Sequence, residues 1–167
     1  MPEEEPEELL LTYHDPHHAA AIFAAISEWA RFEYAIDKLI WELARLEEQQ
    51  GACLTAQFSN AAARIDALIA LARVQGISAT LIAKLNGIRH DMFGLREQRN
   101  RFVHDPWFCA HPSQQHYRLE LTAKAKLVHA YKPVSEDEAK SVCSNIEALN
   151  RRFQEIRSEI VQEFYSL

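Results

Sequence analysis

From His17 to Gln50 the chain contains neither glycine nor proline, and its apolar residues recur at alternating spacings of three and four. That period is the signature of a long amphipathic helix, and it decides most of what the chain can fold into. One seam reads Ala25, Trp29, Phe32, Ile36, Leu39, Leu43 and Leu46. A parallel seam reads Ile22, Ile26, Trp29, Glu33, Ile36, Ile40 and Leu43, with Glu33 as its one charge. Gly51 is placed to end this helix as a C-terminal glycine. A second helix is expected from Ser59 to Val74, with Ala61, Ile65, Leu68 and Ala72 inward and Gly76 closing it. Ser78 suits an N-cap for a third helix reaching His104, with the seam Leu81, Leu85, Ile88, Met92, Leu95, Arg99 and Phe102. Pro106 biases Asp105 away from helical backbone and marks the stop.

Past Pro106 the period changes. Tyr117 to Thr122 alternates with period two, Leu127 to Tyr131 is partly β-branched or aromatic, and His111 to Gln115 reads as a loop. A small antiparallel hairpin or three-stranded meander over about 106–134 is expected, packed on the helices because so few strands do not stand alone. Ser135 and Glu138 form a capping box, and a last helix follows to Tyr165. Its seam is Ala139, Val142, Ile146, Leu149, Phe153, Ile156 and Ile160. The expected fold class is mainly α: a four-helix up-and-down bundle with a small β insertion between the third and fourth helices. Residues 1–16 read as an acidic, proline-punctuated, flexible tail, and 17–167 as one helical domain.

The 167 residues are 48% apolar, enough to build a core without disulfides or metals. The formal net charge of −6 speaks at first against nucleic acid. However, Glu3, Glu4, Glu5, Glu7 and Glu8 lie in the tail, and without those five the balance is 18 basic to 19 acidic residues. Cys53, Cys109 and Cys143 are odd in number and widely spaced, which suits reduced thiols in a cytoplasmic protein. The longest apolar run, Ala19 to Ile26, is too short to cross a membrane, so no membrane partner is expected.

Glu33 and Arg99 are the two charges on core seams. A buried charge needs a partner or a wet cavity. They could pair with each other, snorkel to the surface, or line a polar pocket. The neighbours of Arg99 favour a pocket: Arg96, Asn100, Arg101, His104 and Asp105 surround it in sequence. From Leu81 to His104 there are five basic residues (Lys84, Arg89, Arg96, Arg99, Arg101) and two acidic ones (Asp91, Glu97). A basic, histidine-bearing helix end suits a phosphate-bearing substrate. Arg99 and His104 stand about 140° apart on a regular helix, so meeting one ligand calls for a last turn that loosens before Pro106.

At this stretch, Arg99-Asn100-Arg101-Phe102-Val103-His104 resembles the R-x4-6-H motif of HEPN-domain proteins (higher eukaryotes and prokaryotes nucleotide-binding). The likeness includes the polar residue directly after the arginine, and the following Asp105-Pro106-Trp107 looks like stretches in small bacterial HEPN-like proteins. It departs at Pro106, where many toxin-type members carry tyrosine two residues after the histidine. The resemblance implies a four-helix domain and a metal-independent endoribonuclease, with no cofactor, in a toxin or defence setting. The RNA 2′-hydroxyl would attack the adjacent phosphate. His104 would serve as general base or acid, Arg99 would stabilise the phosphorane charge, and Asn100 would orient one of them. Arg96 and Asp105 would support the site. From the seam argument, Glu33 would position Arg99.

The resemblance also implies a homodimer with two motifs facing one cleft, and a cognate partner protein. A second apolar set on the first helix (Phe23, Ala30, Tyr34, Trp41) and Ala83, Gly87 and Gly94 on the third could serve a dimer or be covered within the chain. The alternative function is a non-catalytic helical interaction module in which the motif is structural. A third reading is RNA or nucleotide binding without turnover. No Glu-x-x-His pair, Walker loop or nucleophile elbow occurs. His14, Asp15, His17 and His18 straddle Pro16 and read as capping and solvated rather than as a metal site.

Overall fold

The computed structural model describes residues 8–11, 16–111, 113–123 and 127–167, and the side chains of all of these except 8–11, 17, 18, 136 and 139. The described part is mainly helical with a small antiparallel sheet. The elements are β1 (Glu8–Leu11), α1 (Pro16–Leu43), α2 (Glu48–Thr55), α3 (Ala61–Val74), α4 (Ala79–His104), β2 (Trp107–His111), β3 (His116–Thr122), β4 (Val128–Pro133) and α5 (Glu136–Phe164). Where the sequence reads as one helical domain after a tail, contacts group the chain into two compact units. A sheet-bearing unit comprises 1–26 and 97–144, and a helical unit comprises 27–96 and 145–167.

The helical unit holds the apolar core that the seams require. Phe32, Ile36, Leu39 and Leu43 of α1 are fully buried, as are Leu85, Ile88 and Met92 of α4. Phe153 meets Phe32 edge to face at 5.5 Å. Helix ends follow their capping chemistry. Asn60 accepts from the backbone N–H of Ala63 to start α3. Gly76, at φ +78°, ends it in a Schellman arrangement in which Ile77 N–H reaches Ala72 O.

The first helix is shorter than its period suggests. It stops at Leu43, and Arg45 takes the left-handed conformation (φ 54°) that a glycine would normally fill. Leu46 N–H then reaches back to Trp41 O, the same closing bond as at Gly76. Gly51 therefore ends nothing. It is buried inside α2, and a Cβ there would run into the indole of Trp41. The absent side chain lets α2 lie on that ring. Trp41 Nε1 donates to Thr55 Oγ1 at 3.1 Å, and Thr55 Oγ1 donates to Gly51 O. Trp41, one of the apolar set that could serve a dimer or be covered within the chain, is thus covered, 6% exposed beneath α2.

In the sheet-bearing unit the strand order is β1-β2-β3-β4, all antiparallel. The three inserted strands match the expected meander. β1 corrects the reading of residues 1–16 as a flexible tail: Glu8 to Leu11 pair with Phe108 to His111. The short run Leu9 to Leu11 shows no period of its own, and the glutamates before it read as a solvated segment. Residues 1–7 and 12–15 lie outside the described residues, so His14 and Asp15 do too. The capping box appears at the expected place, with Glu138 N–H donating to Ser135 Oγ.

Candidate nucleic-acid site at the end of helix α4

The proline stop has a definite consequence for the motif. Helix α4 stays regular through His104, and Asp105 N–H bonds Arg101 O at 3.1 Å. The loosened last turn that would swing Arg99 and His104 together is not there, so their Cα positions keep the helical offset of about 140°. Arg99 is half-buried, and its Nη1 donates to Asn100 Oδ1 at 2.9 Å. The seam position of Arg99 therefore holds a half-buried arginine rather than a fully buried apolar side chain. His104 is exposed, and among the described residues its imidazole meets no hydrogen-bond or ion-pair partner.

The flanking charges are bound into the fold. Asp105 accepts from Arg118 Nη1 of β3 at 2.7 Å, and both side chains are largely buried, at 16% and 12% exposure. Arg101 lies 3.3 Å from Glu120 and 3.7 Å from Asp105. Arg118 also sits over the Phe102 ring, and Trp107 Nε1 donates to Phe102 O. These contacts tie the last turn of α4 to β2 and β3. Asp105, expected to support the site, anchors the last turn of α4 to β3 through Arg118.

The structure brings Arg99, Asn100, His104 and Asp105 into the sheet-bearing unit, whereas Arg96 and Glu33 belong to the helical one. Arg96 stacks its guanidinium on Phe93 at 5.5 Å. Glu33 is half-buried beside Asp37, whose carboxyl it helps to hold above the usual range. Burial is the larger cause of that rise, and Arg64, at 3.0 Å, opposes it.

A polar groove that the sequence did not single out lies between α1 and α5 in the helical unit. Its volume is about 740 Å³, and Glu28, Lys38, Asn150, Arg151 and Arg157 line it. Asn150 is 7% exposed, next to the apolar seam, and donates to Glu28. An asparagine one position off an aliphatic stripe gives no pattern to detect. Among the described residues no cluster of three or more metal-binding side chains occurs, and no helix is long and apolar enough to cross a membrane.

No family model matches the chain, and neither a curated protein nor a solved structure matches it.

Proposed function

We propose that this protein is an HEPN-like, metal-independent RNA-acting protein, cleaving or holding RNA through Arg99, Asn100 and His104. The observation that carries the reading is the division of labour at the end of α4. Asp105 and Arg101 are engaged in ion pairs with β3, while the His104 imidazole one residue away is exposed to solvent. A solvent-exposed imidazole can reach an RNA hydroxyl and move a proton to or from it. The half-buried guanidinium of Arg99, steadied by Asn100, suits a phosphate oxygen.

The reaction follows from these parts. The 2′-oxygen forms a bond to the adjacent phosphorus, and the bond from phosphorus to the 5′-oxygen breaks. One imidazole takes the 2′-hydroxyl proton, and a proton is delivered to the departing 5′-oxygen. The products are a 2′,3′-cyclic phosphate and a 5′-hydroxyl. Because Arg99 and His104 are offset around one regular helix, two copies of the motif facing one strand would supply both groups, and a homodimer is part of the proposal. A cognate partner protein and a cytoplasmic toxin or defence role belong to it as well.

The ion pairs of Asp105 favour a second reading, in which the whole motif is structural in a helical interaction module. Mixed RNA incubated with wild type, Arg99→Ala and His104→Ala separates the two. The first reading expects cleavage by wild type alone, with melting temperatures close together. Equal outcomes in all three proteins, with a large loss of melting temperature in Arg99→Ala, would support the second.

A further inference from the structure

Two polar stripes beside the apolar seams build the groove between α1 and α5. On α1, Glu28, Ala35 and Lys38 share a face at helical spacing, and on α5 so do Asn150, Gln154 and Arg157. All of them line the groove, and all lie in the helical unit. The two helices run in the same direction there, because Glu28 meets Asn150, Phe32 meets Phe153 and Glu42 meets Arg157. Asn150 therefore marks one end of the groove. Arg157 marks the other, about 10 Å further along the axis of α5. Lys38 stands one turn before Glu42 on α1 and belongs to the Arg157 end. Between the ends Ala35 contributes only a methyl group, and the groove keeps about 740 Å³, the size of a small-molecule site.

Hydrogen bonding along this groove is unbalanced, although buried polar groups in folded proteins are normally paired. Asn150 is more than nine-tenths buried. Its Nδ2 makes one long bond, 3.4 Å to Glu28, and its second hydrogen has no acceptor among the described residues. The buried Nε of Arg157 has no acceptor among them either. Arg157 Nη2 and Lys38 Nζ reach Glu42 and Glu48 only at 3.5 and 3.6 Å. The acceptors, by contrast, are engaged. Glu28 takes Arg31 at 2.7 Å as well as Asn150, Asn150 Oδ1 takes Gln154, and Glu147 has a partner of its own. At the exposed rim Arg151 and Glu155, one turn apart, offset each other. The unspent capacity is therefore donor capacity at both ends, and it is cationic at the Arg157 end. We infer that this groove binds a small organic anion. Its carboxylate or phosphate group lies at Arg157 and Lys38, and a carbonyl or hydroxyl oxygen about 10 Å away accepts from Asn150. A bare ion is too short to reach both ends, and a neutral molecule forgoes the charge-assisted bonds. The inference is independent of the α4 motif and of the RNA reading.

The test is titration calorimetry of the full chain with gluconate and with glucose-6-phosphate, which carry a carboxylate and a phosphate on similar polyhydroxy skeletons. Glucose and inorganic phosphate are the neutral and the bare-ion controls. Wild type is expected to bind at least one of the two organic anions at about millimolar affinity or better, and more tightly than either control. Binding of gluconate alone assigns the carboxylate, and binding of glucose-6-phosphate alone assigns the phosphate. Arg157→Lys keeps the charge but removes the Nε donor, and it should weaken binding about tenfold. Lys38→Gln should weaken it by a similar factor. Asn150→Ala should weaken the organic anions and leave inorganic phosphate unchanged. Melting temperatures are recorded for each variant, and Lys38→Gln, on a half-buried side chain, carries the test should Asn150→Ala or Arg157→Lys not fold. No binding of either organic anion at about 10 mM overturns the site. So does binding that both Arg157→Lys and Lys38→Gln leave unchanged. Glucose binding as tightly as the anions would remove the charged end, and inorganic phosphate binding as tightly would remove the Asn150 end; either result overturns the two-ended ligand.

Discussion

Helix α4 handles charge in two different ways along its length. Between Leu81 and Met92 its inward seam is wholly apolar, and its cations pair at the surface: Lys84 with Glu159 at 43% and 48% exposure. Over its last turns the ion pairs move inside, Arg118 with Asp105 at 12% and 16% and Arg101 with Glu120 at 23% each. The difference follows the supply of large apolar side chains. All the largest fully buried ones, from Phe32 to Ile160, fall in the helical unit. The sheet-bearing unit buries fewer large side chains, Phe102, Leu119, Val134 and Val142 among them, and adds largely buried ion pairs to specify its geometry. Such pairs add little net stability over an apolar substitute, but breaking one strands a charge.

That contrast can be broken most forcefully at Asp105. Asp105→Ala leaves Arg118 largely buried without its carboxylate and should cost about 3 kcal/mol in urea unfolding. A loss below about 1 kcal/mol would mean that the pair is solvated and the contrast false. Next in size, within the helical unit, comes Gly51→Ala. Its Cβ meets the Trp41 ring, so overpacking should lower stability by about 2 kcal/mol with no charge involved.

Asp37 with Arg64 is the exception that sharpens the rule, an ion pair at 14% and 17% exposure inside the helical unit. Burial raises the Asp37 pKa, so the folded state holds its proton more tightly than the unfolded chain. The stability this confers is full below the ordinary carboxylate pKa and is lost as pH rises through the raised value. Melting curves of Asp37→Asn and wild type should therefore shift in favour of the variant as pH rises above about 4. A constant difference would show that folding leaves the proton affinity of the carboxyl unchanged. The smallest effect belongs to Lys84→Ala, which removes an exposed pair and should change stability by less than about 1 kcal/mol.

The period of the helices made most of the helical unit legible in advance, because burial enforces the spacing of Ile, Leu and Phe. Most seam residues of α1, α3, α4 and α5 are buried as their spacing requires, while Ile22, Ile26, Leu46 and Leu95 are half-buried. What was not legible depended on single close contacts. The end of α1 lies at Arg45, a residue with no propensity for left-handed backbone, and Gly51 looks like a stop until Trp41 is seen beneath it. β1 escaped because its partner strand is about a hundred residues away along the chain. At the candidate site, the motif located Arg99, Asn100 and His104. Its composition could not tell that Asp105 belongs to Arg118, since that pairing is made only by the register of β3.

The central claim concerns His104 and Arg99 as a metal-independent pair acting on RNA, and the ends of the cut strand test it most directly. Labelled RNA is incubated with wild type, Arg99→Ala and His104→Ala in excess EDTA, and product termini are read by mass spectrometry. Wild type should leave 2′,3′-cyclic phosphate and 5′-hydroxyl ends, and both variants should leave the strand intact. Intact RNA in wild type, or the same termini from all three proteins, would contradict it.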